Sequence, residues 1–226
     1  MKLARAAALY TGGKDSTRAV QAALEGGLDV AYLLTIVPSR EDSWMYHSAA
    51  LDLVDLSAEA LGIPLVKGRS SGVKEEEVEA LYEALRGLNV EVVVSGVIAS
   101  NYQRSRIEAV CRRLGLRSYA PLWGVDEEGY LRGLIEEGYE VIFVSASALG
   151  LDESWLGRRL DEEALEELKR LKRRYGVSLA LEGGEAETLV LNSPIHRRRL
   201  VIEEAFKEWR GRSGVLRVTK ASLADK

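Results

Sequence analysis

In the first half of the chain the apolar residues fall in short solid runs, and the stretches between them carry apolar positions at helical spacing. Residues 4–10, 29–37, 63–67 and 90–95 read as strands. Between them, Lys14–Glu25 repeats Ala19, Val20, Ala22, Ala23 and Leu24 on a helical period and stops at Gly26-Gly27. Residues 47–61 form a second helical stretch ending at Gly62, the acidic stretch 73–87 a third, and Asn101–Leu114 a fourth ending at Gly115. Strands that are apolar throughout, alternating with helices, predict a parallel sheet covered on both faces.

From about residue 121 the rhythm loosens. Residues 126–137 read as helix, Glu140–Ala146 as strand and 155–160 as helical in composition. Residues 161–175 form a charged helix with Asp161 as N-cap, and 182–191, 199–205 and 214–219 read as strands. This predicts a smaller α+β domain after the α/β one, with residues 1–122 in the first and 123–226 in the second. The boundary falls in a stretch bearing Pro121, Trp123 and Gly124, with no long linker.

Composition narrows the classes. The chain has 226 residues, 46% of them hydrophobic, which is enough to bury a real core. The formal net charge is −4, from 31 basic and 35 acidic residues, so nothing demands a nucleic-acid partner and no direct nucleic-acid binding is expected. The lone Cys111 excludes an intramolecular disulfide and a cysteine metal site, and with only His47 and His196 a structural zinc site is not expected. The first residues lack a signal-peptide pattern, and no apolar stretch reaches the roughly 18–20 residues that span a bilayer. The expected setting is cytoplasmic, with no membrane partner; a homo-oligomer is compatible with the composition.

The chemistry begins at Thr11-Gly12-Gly13-Lys14-Asp15-Ser16-Thr17, between the first strand and the first helix. Two glycines let main-chain N–H groups crowd round phosphate oxygens. The helix start adds unpaired N–H donors and the positive end of its dipole. Thr11, Ser16 and Thr17 offer hydroxyls, Lys14 a charge and Asp15 a ligand for magnesium. The segment is neither G-x-x-x-x-G-K-[ST] nor G-x-G-x-x-G. On these residues alone, an ordinary strand-to-helix turn that uses glycine for geometry stays open.

The segment resembles the S-G-G-x-D-S pyrophosphate loop of the N-type ATP pyrophosphatases, with Thr11 keeping the hydroxyl of the usual serine. Further segments narrow the likeness: Ser43-Trp44-Met45-Tyr46-His47; the run from Gly96 to Glu108, continuing through Cys111 and Ala120-Pro121-Leu122-Trp123; and Glu182-Gly183-Gly184-Glu185-Ala186-Glu187-Thr188 with Asn192-Ser193-Pro194. Together, over nearly the whole chain, these resemble the diphthine–ammonia ligase family. One departure is Asn101, where relatives often carry an acid, so no acid–base or metal role is assigned to it.

The resemblance implies a Rossmann-like (HUP-type) fold, ATP and Mg²⁺ as cofactors, and elongation factor 2 bearing diphthine and ammonium as partners. It implies a nucleotide site at Tyr10, Thr11, Gly12, Gly13, Lys14, Asp15, Ser16, Thr17, Thr35, Gly96 and Arg104, with Asp15 as metal ligand. It implies substrate contacts from His47, Tyr102, Gln103, Glu182, Gly183, Gly184, Glu185, Glu187 and Thr188, and catalytic roles for Lys14, Asp15, Glu185 and Glu187. If 182–188 is a strand, Glu185 and Glu187 share a face and a joint role. Each has a plainer alternative: Gly96 a strand-end glycine, His47 a helix-start residue, Arg104 a solvated arginine, 182–188 a polar turn. Cys111, beside apolar residues, reads as a small buried residue; Trp123 and Trp155 read as core more readily than as an aromatic wall for a quaternary ammonium, and His196-Arg197-Arg198-Arg199 as a solvated run more readily than as a contact for an acidic protein surface. Two other functions stay open: an ATP pyrophosphatase with another carbonyl substrate, and a module that holds nucleotide without turnover.

Overall fold

Residues 3–38, 53–70 and 74–226 are described by the structure, a computed structural model. The Ser43–His47 motif, and with it the expectation for His47, lies outside them. By their contacts the residues form two compact units. Met1–Thr11, Asp15–His47 and Ile63–Trp123 make the first; Gly12–Lys14, Ser48–Gly62 and Gly124–Lys226 make the second.

The first unit holds β1 (Arg5–Leu9), β2 (Asp29–Pro38), β3 (Leu65–Ser70), β4 (Val92–Val94) and β5 (Arg117–Tyr119). They form one sheet in the order β3-β2-β1-β4-β5, every neighbour parallel. The helices are α1 (Lys14–Glu25), α2 (Val54–Leu61), α3 (Lys74–Arg86) and α4 (Asn101–Leu114), with α2 in the second unit. Ala7, Leu34 and Val93 cluster with Leu81 and Leu85 of α3 and Val110 of α4. The alternate residues Ala6, Ala8, Leu33, Val92 and Val94 are as deeply buried, so both faces of the sheet are covered, as the solid apolar runs predict. β5 escapes the apolar pattern because Arg117, Ser118 and Tyr119 are all exposed on an edge strand.

The strand order reverses between β1 and β4, and in open α/β sheets ligands bind beyond the carboxyl ends of the strands at such a point. Residue 11 follows the end of β1 and Gly96 follows the end of β4, so the fold delivers both to that edge.

The second unit contains β6 (Glu140–Ala146), β7 (Ala186–Asn192), β8 (Arg199–Arg210) and β9 (Ser213–Ala224), antiparallel in the order β7-β6-β9-β8. With them go α5 (Glu127–Glu136) and α6 (Glu162–Tyr175). Asp161 caps α6 through the Ala164 N–H at 2.8 Å, as expected of an N-cap aspartate. Leu131, Leu134, Phe143, Leu165 and Leu168 form the core, and Trp155 meets Phe143 edge-on at 4.9 Å. Trp155 is thus a core residue.

Three expectations need correction here. Residues 155–160 are not a helix: a short 3₁₀ turn covers Glu153–Trp155, Gly157 takes φ +81°, and Arg159 bridges back to Ile142. A left-handed glycine in the middle of the run ends any helical continuation. The strand expected over 182–191 begins only at Ala186, because 182–185 is a turn with Gly184 at φ +82°. The last two strands run to 12 residues each around a tight turn at Gly211, longer than their apolar cores, since much of the ribbon is exposed. Among the described residues no helix is long and apolar enough to cross a membrane.

Candidate functional site

In the first unit, the end of β1 is held by hydrogen bonds within the protein. The Tyr10 N–H donates to the Leu34 carbonyl at 2.9 Å, and the buried Thr35 hydroxyl donates to the Tyr10 carbonyl. The Thr11 N–H donates to Ser16 Oγ at 3.3 Å, and the two hydroxyls lie 3.3 Å apart. Ser16 and Thr17 are buried at the first turn of α1, where main-chain N–H groups lack helical partners. The Thr11–Ser16 part of the loop is therefore braced by its own bonds.

Gly96 packs on that turn. A Cβ there would stand 2.6 Å from the carbonyl carbon and oxygen of Asp15 and 2.8 Å from the Ser16 nitrogen. These are backbone atoms, which cannot swing aside. Glycine is thus required by the close approach of chain to chain, whatever else comes near it.

At the start of α4, Ser100 caps the helix through the Gln103 N–H at 3.3 Å, leaving Tyr102 half exposed. The Arg104 guanidinium is held by Glu108 at 2.7 Å and lies 4.4 Å over the Trp123 ring. Arg106 lies 3.5 Å over the Tyr102 ring. Arg104 is therefore an oriented arginine. Cys111 is buried, and burial, helped by the Glu108 charge, pushes its thiol up to about 11, which suits a packing residue and no nucleophile.

In the second unit, residues 12–14 are built into the start of β7. The Val190 N–H donates to the Gly12 carbonyl at 2.9 Å, and the Lys14 N–H donates to the Thr188 hydroxyl at 3.2 Å. Gly12 has φ +81° and faces Ser57 of α2 and Leu189. Lys14 is 2% exposed, and its ammonium donates to the Ala180 carbonyl at 2.6 Å. The sequence gives no signal for this partner, because a backbone carbonyl has no residue signature.

The segment that receives Lys14 is strained. Leu181 takes φ +62°, a region that costs a bulky residue about 1–3 kcal/mol. A hydrogen bond from a charged group contributes about 1.5–3 kcal/mol, enough to hold such a turn. Glu127 of α5 holds the same segment from another side, accepting from the Ser178 hydroxyl at 2.9 Å and the Leu179 N–H at 3.2 Å. Burial works to raise the Glu127 carboxyl, but Lys172 and these two donors outweigh it and leave it below the usual range.

Of the residues in 182–188, Gly183 and Gly184 are exposed, Glu182, Glu185 and Glu187 half-buried, and Thr188 buried. Glu185 Oε1 accepts from the Ser178 N–H at 3.4 Å, while Oε2 is buried with no hydrogen-bond partner among the described residues. A side chain on Gly183 would run into that carboxylate at 2.8 Å. Glu185 sits in the turn and Glu187 in β7, its N–H on Ser145 Oγ at 2.9 Å, so the common strand face expected for the pair does not exist. The region offers carboxylates at a bend, chemistry suited to a cation. Among the described residues no group of three His, Cys, Asp or Glu could hold a metal. Asp15 alone fits Mg²⁺ only as an ion carried mainly by phosphate oxygens and water, the usual manner of magnesium on a nucleotide.

His196, expected from the sequence to be part of a solvated basic run, needs correction. It is buried, its Nδ1 is 2.7 Å from Ser193 Oγ, and its Nε2 has no hydrogen-bond partner among the described residues. Burial, with the Lys226 charge, pushes its pKa down to about 4, so the ring is neutral at pH 7. The available signal was its place two residues after Ser193-Pro194.

Comparison with known proteins matches residues 4–118 to the diphthamide synthase N-terminal domain and 126–224 to the diphthamide synthase C-terminal domain. The chain is 34% identical to a human diphthine–ammonia ligase, over 89% of this chain and 84% of that one. It is 34% identical to the zebrafish (Danio rerio) diphthine–ammonia ligase, over 98% and 97%. Among solved structures it is loosely similar to a tRNA methyltransferase subunit from Methanocaldococcus jannaschii, at 18% identity over 84% of this chain and 100% of that one, with a TM-score of 0.44. That last likeness is too distant to bear on fold or activity.

Proposed function

The chain belongs to the diphthine–ammonia ligase family of carbon–nitrogen ligases, and from that premise we propose that it adenylates the diphthine carboxylate of elongation factor 2 and passes the acyl group to ammonia. A carboxylate oxygen attacks the α-phosphorus of ATP, the bond to the bridging oxygen breaks, and pyrophosphate leaves with the electron pair. Ammonia then attacks the acyl carbon, gives up a proton, and AMP departs with one of the original carboxylate oxygens. The product is the diphthamide amide.

The first step brings an anionic carboxylate to an anionic triphosphate, so donors must be in place before the charges meet. Residues 11–17 and the first turn of α1 supply main-chain and hydroxyl donors for the pyrophosphate tail, apart from the Thr11 and Lys14 N–H groups, which are bonded to Ser16 and Thr188. Tyr10 and Thr35 fix the strand end from which that loop departs. Asp15 would hold Mg²⁺, which supplies charge neutralisation on the phosphates. Arg104, oriented by Glu108 and Trp123, binds phosphate or carboxylate, with Tyr102 and Gln103 beside it at the start of α4. Glu182, Glu185 and Glu187 attract the cationic parts of the reaction, ammonium and the trimethylammonium of diphthine.

The observation that best supports this reading is the braced 11–17 loop at the point where the strand order reverses, its first turn backed by a glycine that no side chain could replace. The test incubates the protein with ATP, magnesium, ammonium and elongation factor 2 bearing diphthine. The expected result is AMP together with conversion of the carboxylate to the amide, read by mass spectrometry of the factor. ADP as product rejects adenylation. AMP with an unchanged factor favours another carbonyl substrate, and ATP bound without turnover favours a nucleotide-holding module.

A further inference from the structure

The lysine of the phosphate loop is turned away from the role its position suggests. Lys14 is 2% exposed, and its ammonium is seated on the carbonyl of Ala180, one residue before the strained Leu181. The segment so gripped leads directly to the carboxylates. The Ser178 N–H is bonded to Glu185 Oε1, the Leu181 N–H closes on the Ser178 carbonyl at 3.3 Å, and Glu182 follows Leu181. The main chain of Lys14 is tied to the far side of the same turn through Thr188. One residue therefore holds both ends of the 180–188 bend: the side chain at Ala180 and the amide at Thr188.

We propose that Lys14 is a positioning residue, whose ammonium on the Ala180 carbonyl sets the 178–181 segment and thereby the orientation of the Glu185 carboxylate. A left-handed leucine relaxes when its restraint goes, because the extended and right-handed regions are open to it. Relaxation at Leu181 moves the Ser178 amide off Glu185 and changes how that carboxylate meets a cation. Because residues 12–14 are continuous in sequence with Thr11 and Asp15, the residue that sets this bend is part of the nucleotide loop itself. The inference deepens the ligase reading and rests on it only for the role given to Glu185.

The test compares the whole protein with its Lys14→Met variant in two independent measurements. In the first, hydrogen exchange followed by mass spectrometry should show amides of 178–188 exchanging about tenfold faster, with α1 and the parallel sheet unchanged. In the second, the KM for ammonium should rise about tenfold while the dissociation constant for ATP moves by less than about threefold. A variant that exchanges faster everywhere has merely lost stability, which overturns the proposal. So does a tenfold loss of ATP affinity, which would make Lys14 a phosphate ligand, and so does unchanged exchange at 178–188. If Lys14→Met does not fold, Lys14→Arg keeps the charge but displaces the donor, and should shift both readouts in the same directions by a smaller factor. Local loosening in a protein that makes no AMP would sink the ligase reading and leave the positioning claim standing. Amide formation with no local loosening would do the reverse.

Discussion

Residues 11–17 and residues 182–188 both set a pair of glycines among polar side chains, yet they are finished to different degrees. In the first, Ser16 and Thr17 are buried, Thr11 and Ser16 brace each other, and Thr35 fixes the strand end. In the second, the glycines are exposed, three carboxylates are half-buried, and Glu185 keeps one buried oxygen without a hydrogen-bond partner among the described residues. Among the described residues, the buried side-chain atoms with no hydrogen bond are on Glu185, Asn192, His196 and Arg199, all in one stretch of the chain. Folded proteins satisfy nearly all buried polar atoms, so a run of exceptions marks where stability has been left incomplete. The contrast teaches a division of labour. Under the proposed function, recognition of a phosphate tail, common to all ATP users, falls to the braced backbone of 11–17, and recognition of a particular acceptor to side chains with bonding capacity in reserve.

The largest effect is expected of Gly96→Ala. The new Cβ would press on the Asp15–Ser16 backbone, and a displacement of that kind can cost about a hundredfold in rate. The rate of AMP release should fall accordingly, while Gly133→Ala, whose Cβ meets nothing within 4 Å, should not slow it. A Gly96→Ala enzyme of normal rate would mean that the loop is not rigid.

The unfinished side is probed next by pH. The folded pKa of His196, about 4, lies below its ordinary value of 6.5, so the unfolded chain takes up the proton first. The stability this gives is present above pH 6.5 and is lost as pH falls towards 4. Between pH 7 and 5 the loss is roughly 2 kcal/mol. Urea unfolding at the two pH values should show it, and His196→Gln should abolish that part of the dependence. A variant with the full pH dependence would assign it to other groups.

Glu185→Gln comes third. It removes the charge at the bend and should raise the KM for ammonium about tenfold with the KM for ATP unchanged. A rise in the ATP value instead would merge the two regions into one function. Smallest is Ser16→Ala, which deprives the Thr11 N–H of its acceptor. The expected cost is about 0.5–1.5 kcal/mol, read as severalfold weaker ATP binding by calorimetry.

What was legible in the sequence follows the same divide. The parallel sheet could be read because buried strands such as Val92–Val94 are apolar throughout, and α1 because its alanines repeat before a double glycine. β5 and the far halves of β8 and β9 could not, because Arg117–Tyr119 is exposed and the ribbon's long strands carry charge on their open faces. At the site, the loop residues announced themselves by type and spacing. The Lys14–Ala180 bond did not, since it depends on a backbone carbonyl far along the chain, and neither did the left-handed Leu181, a conformation no leucine advertises.

The central claim, that the acceptor carboxylate is activated by attack on the α-phosphorus, can be tested by following one atom. Diphthine-bearing elongation factor 2 with its carboxylate labelled with oxygen-18 is converted by the protein with ATP, magnesium and ammonium, and the nucleotide product is analysed by mass spectrometry. The account predicts AMP carrying one labelled oxygen for each amide formed. Label in inorganic phosphate alongside ADP, or AMP with no label, would contradict it.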